Sequence, residues 1–243
     1  MFRSVTSLLI LGCFFASVRL NGQTNVPAGI TVPVMLSTTI RSDKSKSGEP
    51  IRARVMQNVP LPGGGRIARG KNLSGHIVQI NPTGVTLKFD RLLIDKQEVP
   101  VRTSLRAIAS MLAVQDARIP TNSAGDRGNP PSMWNTQQIG GRDVVYGRPG
   151  NVLDGSEQVG KSLGDGSIFV TLRESPDGRC EDDSKEPQAV WVFSSSACGA
   201  YGFGDLLVDH FGRTDPRGSI VLRSSSRIDI RSGSGLLLRV IGQ

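Results

Sequence analysis

From Ile30 onward the chain alternates apolar and polar residues with a period of two, and glycine or proline breaks the pattern every few residues. That period belongs to strands with one buried face, since an amphipathic helix needs apolar residues every three to four positions. Ile30, Val32, Val34 and Leu36 fall on one side, with Thr31, Pro33 and Met35 on the other. Ile51, Ala53 and Val55 alternate with Arg52, Arg54 and Met56, and Val85, Leu87 and Phe89 with Thr86, Lys88 and Asp90. Pro33 cannot donate to a ladder, which places the first strand at a sheet edge. Twenty-nine glycines, 14 prolines and 5% aromatics suit short strands and tight turns. The expected fold class is all-β.

The pattern divides the chain into two small barrel- or sandwich-like domains. The first, within 23–112, holds five or six strands, including a strand carrying His76 between Asn72 and Ile80. Its last run sets Val99, Val101, Thr103, Leu105, Ala107, Ala109 and Met111 inward against Arg102, Ser104 and Arg106 outward, and its end reads equally as a helix start. Gly63-Gly64-Gly65 lacks the Gly-Lys-Ser/Thr ending of a phosphate loop and reads as a hairpin connection. Over 113–160 the periodicity fades among Pro120, Gly125, Gly128, Pro130 and Pro131, which marks an irregular linker. Trp134, inside it, is expected to dock onto a neighbouring core. The second domain spans 161–243. There Val190-Trp191-Val192-Phe193 reads as a central strand covered on both faces, and Cys198 to Gly204 as a tight turn or bulge.

Residues 1–22 have the layout of a secretory signal peptide: Arg3, the apolar run Leu8 to Val18, then a polar stretch. That run is too short to span a bilayer. Ile10-Leu11-Gly12-Cys13 also resembles a bacterial lipobox, so lipidation of Cys13 stays open as an alternative and would tether the chain to a membrane. Cleavage near Gly22 leaves Cys180 and Cys198, an even pair expected to form one disulfide in an oxidising compartment. The formal charge is +8, and residues 1–22 carry two arginines and no acid, which leaves +6. An exported basic chain meets anionic envelope polymers before it meets nucleic acid.

No catalytic set emerges from the rest. His210 follows Asp209 directly, so on a strand the two face opposite ways. Ser194, Ser195 and Ser196 lack a nucleophile-elbow pattern and read as a strand end. Two paired cysteines and two distant histidines make no zinc framework, and Asp177 with Glu181, Asp182 and Asp183 reads as a solvated acidic turn. Two Trp and two Tyr are few for a sugar-cleft platform, for stacking on nucleic acid, or for the girdles of an outer-membrane barrel. The expectation is a non-enzyme with no catalytic, cofactor or metal residues and no cofactor. Its partner would be an envelope protein or an anionic envelope polymer, with no nucleic acid involved.

Four strings carry a resemblance: AGITVPVMLSTTI, EPIRARVMQNV, RIARGKNLSGHIVQI and VTLKFDRLLIDKQEVPVRTSL. Through Gly29, Val32 and Pro33, then Ala53 and Val55, Gly70 and Gly75, and Arg91 to Leu93, residues 28–112 resemble the β-barrel domain of the type IV secretion and conjugation channel scaffold family. Residues 161–243, with WVFSSSACGAYGFGD and IDIRSGSGLLLRV, resemble uncharacterised exported bacterial proteins. The first resemblance implies a barrel fold. The expected function is that of an exported, non-catalytic structural or binding protein of the cell envelope, placed in the periplasm, on the envelope or outside the cell. The alternatives are a component of a secretion-apparatus scaffold and an exported carbohydrate-active or hydrolytic enzyme.

Overall fold

The computed structural model describes residues 26–94, 97–118, 135–141, 144–146, 149–180, 184–209 and 218–242. The fold is all-β. The first strands are β1 (Thr31–Leu36), β2 (Ile40–Arg41), β3 (Pro50–Val55), β4 (Val59–Pro60), β5 (Arg66–Ile67), β6 (Asn72–Asn81), β7 (Gly84–Ile94), β8 (Gln97–Pro100) and β9 (Arg102–Ala109). Helix α1 (Met111–Arg118) follows, capped by Ser110, whose Oγ accepts from the Ala113 N–H at 3.2 Å. The next strands are β10 (Asn135–Gln137), β11 (Val144–Tyr146), β12 (Gly150–Asp154), β13 (Glu157–Ser162), β14 (Ile168–Val170) and β15 (Gln188–Ala189). The last are β16 (Gly199–Tyr201), β17 (Leu207–Val208), β18 (Ile220–Arg223), β19 (Asp229–Ile230) and β20 (Gly235–Gly242).

The main sheet runs β16-β9-β20-β1-β3-β6-β7-β18-β17, with β8 paired to β7. Its end strands β16 and β17 approach each other, but no ladder joins them, so the expected barrel is an open, curled sheet. The expected division into two β domains does not describe the strand order either. Strands β16, β18 and β20 come from 161–243 and pair with strands from 23–112, and β17 extends the sheet beyond β18; β20 lies between β1 and β9, with Arg239 opposite Thr31 and Leu238 opposite Leu105. Alternation records which face of a strand is buried and nothing about its neighbours. The expected linker supplies most of α1 and strands β10 to β13 of a second sheet, ordered β10-β11-β12-β13-β14-β15.

Pro33 is therefore interior: β1 pairs with β20 on one side and β3 on the other. The ladder tolerates it because even-numbered N–H groups of β1 face β20, as Leu36 to Ser234 O does at 2.9 Å. The absent Pro33 N–H faces β3, whose register starts only at Val34 opposite Val55.

One core fills the concave face, built from Val34, Leu36, Ile51, Leu87, Phe89 and Leu238. Each such side chain stabilises the fold by roughly 1.5–3 kcal/mol on burial. A second core lies between the outer face of β9, β20 and β1 and the second sheet; it contains Ala107, Ala109, Leu237, Val152, Val170, Trp191 and Phe193. Strand β9 serves both cores through a bulge. Ala107 faces Leu237 and Leu105 faces Leu238, which leaves Arg106 as the extra residue and reverses the phase after it. Hence Ala107 and Ala109 do not continue the inward row of Leu105, and Ser104 and Arg106, expected outward, are buried.

Two buried polar side chains tie the layers together. Gln188 Oε1 accepts from the Thr31 N–H at 2.9 Å, and Gln57 Oε1 accepts from the Trp191 N–H at 2.7 Å while its Nε2 donates to Ile168 O at 2.9 Å. The run Val190–Phe193, expected as a strand, is a buried turn: the Phe193 N–H reaches Val190 O at 2.9 Å and Trp191 has a φ of 53°. A bulky residue enters that left-handed region only when its surroundings hold it there, and the Gln57 bond together with ring packing does so.

Candidate functional site

Cys180 and Cys198 are joined, with Cα atoms 5.8 Å apart; Cys180 is fully buried and Cys198 half-buried. The turn leading to Cys180 is built by Ser175. Its Oγ accepts from the Cys180 N–H at 2.8 Å and donates to Asp177 Oδ1 at 2.8 Å. That hydroxyl, with the Arg179 N–H and guanidinium, holds the Asp177 carboxyl below its usual range. Beyond Cys198, expected as turn or bulge, Gly199–Tyr201 forms β16, parallel to β9, and Gly202 turns the chain at a φ of 71°. The Cys198 N–H donates to Tyr201 Oη at 2.8 Å, and burial pushes the Tyr201 phenol up.

Arg106 crosses this region at 1% exposure. Its Nε donates to Ala197 O at 3.0 Å and its Nη2 to Arg173 O at 2.6 Å. Arg173 turns its own guanidinium outward to Asp154 and Glu157, at 2.9 and 3.1 Å. The guanidinium of Arg106 thus bonds two carbonyls of separate segments to the bulge of β9. Nothing in the sequence pattern distinguished this arginine from those on outward faces. Ser194, Ser195 and Ser196 are buried, with Ser194 and Ser196 packed against Gly141, and they lie on a different layer from His76.

The accessible polar surface is the outer face of β3, β6, β7 and β18, shaped by two more bulges. On β7, Ser74 faces Arg91 and Gly75 faces Phe89, so Asp90 is extra and reaches His76 Nδ1 at 3.3 Å. On β6, Ile77 faces Leu87 and Gln79 faces Thr86, so Val78 is extra; this explains its 44% exposure. The second bulge reverses the phase and brings Gln79 and Asn81 to the outer face beside Thr86, Val221 and Arg223. Together with Thr83 they line a shallow depression of about 290 Å³. Asn81 Oδ1 accepts from the Thr83 N–H at 3.0 Å and closes the β6–β7 turn, while Arg223 Nε meets Asp209 Oδ2 at 2.6 Å. Next to the depression lie Lys88, then Arg52 and Arg54 on β3.

Gly63–Gly65 closes the β4–β5 hairpin, with the Leu61 N–H on Gly65 O at 2.8 Å. Among the described residues no group of three or more His, Cys, Asp or Glu could hold a metal ion, and no helix is long and apolar enough to cross a membrane. The signal-like segment 1–22 with Cys13, Trp134, the acids 181–183 and His210 lie outside the described residues. No family model, curated protein or solved structure matches this chain.

Proposed function

We propose that the chain is an exported, non-catalytic protein of the cell envelope, acting as a structural or binding module. The Cys180–Cys198 bond carries this reading. Disulfides persist in oxidising compartments and are rare where thiols are kept reduced. The bond braces the turn 175–180 against β16, a framework use, and the signal-like layout of residues 1–22 supports the same compartment. An envelope protein or an anionic envelope polymer is the partner class, consistent with the net charge of +6 left without residues 1–22.

Expressing the full chain in a bacterial host, fractionating the cells and mapping peptides by mass spectrometry tests the proposal. The expected product is found outside the cytoplasm, starts near Gln23 and contains a bridged Cys180–Cys198 peptide. A cytoplasmic product that retains Met1 and has Cys180 and Cys198 as free thiols would overturn export. Turnover on a panel of polysaccharides and esters, lost with a single carboxylate or serine substitution, would overturn the non-catalytic part.

A further inference from the structure

We infer that the outer face of β3, β6, β7 and β18 binds a linear anionic polysaccharide, with Arg52, Arg54 and Lys88 reading its charges and the Gln79–Thr86 depression seating a sugar unit. The inference rests on the envelope reading above and names the partner within it.

Charge placement is the first observation. Many described arginines meet a carboxylate close in sequence: Arg41 with Asp43, Arg179 with Asp177, Arg231 with Asp229. Arg91, on the same face, meets both Asp90 and Glu98. Arg52, Arg54 and Lys88 make no ion pair among the described residues. The register sets their spacing. Arg52 and Arg54 are two residues apart on β3, about 7 Å; across β6, Arg52 is in line with Ser74 and Lys88 with His76, so Lys88 lies two strands over and two residues along, about 12 Å from Arg52. Cations on a rigid sheet at that spacing suit a polymer whose charges recur along its length, and they lose little side-chain freedom compared with a loop.

The depression is the second observation, and it favours sugar over other polyanions. Gln79 and Thr86 are directly opposite one another and offer an amide and a hydroxyl. Neither side chain makes a hydrogen bond to another described residue, unlike that of Asn81, which is engaged in its turn. Hydroxyl-rich ligands are matched by such groups, whereas an acidic peptide needs cations alone. The lining contains no aromatic residue on which bases would stack, which disfavours a nucleic acid. Val221, opposite Thr86 on its other side, adds an apolar surface to the depression.

The test uses the purified, disulfide-bonded full-length protein and titrates sodium polygalacturonate by calorimetry, with uncharged dextran, poly-glutamate and single-stranded DNA in parallel. Binding of polygalacturonate is expected, absent for dextran and weakening as NaCl rises from about 0.05 to 0.5 M. Arg52→Gln/Arg54→Gln/Lys88→Gln is expected to weaken it about ten-fold. Arg41→Gln/Arg179→Gln/Arg231→Gln, which removes the same charge elsewhere, should leave it unchanged, and Arg52→Lys/Arg54→Lys should retain it. Gln79→Leu/Thr86→Val is expected to weaken polygalacturonate about three-fold and leave poly-glutamate unaffected. No binding, equal loss in both charge variants, tighter binding of DNA, or a silent depression variant would each overturn the inference. A polygalacturonate-negative protein that is still exported refutes this inference alone, whereas a cytoplasmic protein refutes the reading beneath it.

Discussion

A guanidinium at 1% exposure loses its hydration, and only a full set of acceptors offsets that loss. Two of the acceptors Arg106 uses are the backbone carbonyls of Ala197 and Arg173. Arg106→Met keeps much of the volume but strands those carbonyls, so we expect a loss of about 3 kcal/mol in the urea unfolding free energy. A change below about 0.5 kcal/mol would show that the bonds do not matter. A second residue-scale prediction concerns Asp205. Ser225 Oγ donates to its Oδ2 at 2.7 Å and the Ser226 N–H at 2.8 Å; with a further bond from Ser224 these hold the carboxyl below the ordinary range near 3.8. A depressed carboxyl contributes stability above its unfolded value and loses it as pH falls below that value. The melting-temperature difference between Asp205→Asn and the parent should therefore be constant near neutrality and shrink below about pH 4. A difference independent of pH would contradict it.

Strands here are shaped as much by their bulges as by their alternation. Gly75, at the bulge of β6 and β7, has no room for a side chain: a Cβ there would lie 2.8 Å from Phe89 Cα and closer still to the Lys88 carbonyl oxygen. Gly75→Ala is expected to cost about 2 kcal/mol and to weaken amide-exchange protection across β6 and β7 before the rest of the sheet. Uniform loss of protection would count against a local clash. Bulges also explain what was legible in the sequence. Rows such as Ile51, Ala53 and Val55 or Val85, Leu87 and Phe89 have no extra residue, and there period two reported the buried face correctly. At Arg106 and Val78 one inserted residue reverses the phase, and no local residue type announces it. Trp191 misled for a different reason. An apolar run demands burial, which the structure provides, but burial of Val190–Phe193 is achieved by a turn anchored on Gln57, distant in sequence. The disulfide was readable because pairing needs only a count and a compartment. The outer face was not, since Arg52, Arg54, Gln79 and Lys88 meet only through register.

At the scale of the whole molecule, the decisive arrangement is β20 between β1 and β9. Residues 26–112 taken alone lack β20, and the β1 ladder of Val32, Val34 and Leu36 loses its partners Leu238, Leu236 and Ser234. Such a fragment is expected to give a collapsed NMR spectrum without dispersed amides, and adding a peptide of residues 233–242 is expected to restore some dispersion. A well-dispersed spectrum of the fragment alone would show that the first block is a domain after all. The same insertion sets a timetable. Strands β1 and β9 carry open edges until β20 reaches them, and the pairing that fills the gap joins positions near opposite ends of the sequence. Contacts so far apart are slow to form, because a long loop must close before any ladder stabilises it. Leaving is slow for the mirror-image reason, since β20 cannot be released without breaking two ladders at once. Persistence of this fold is therefore a matter of rate as well as of equilibrium, a useful property wherever refolding is not assisted.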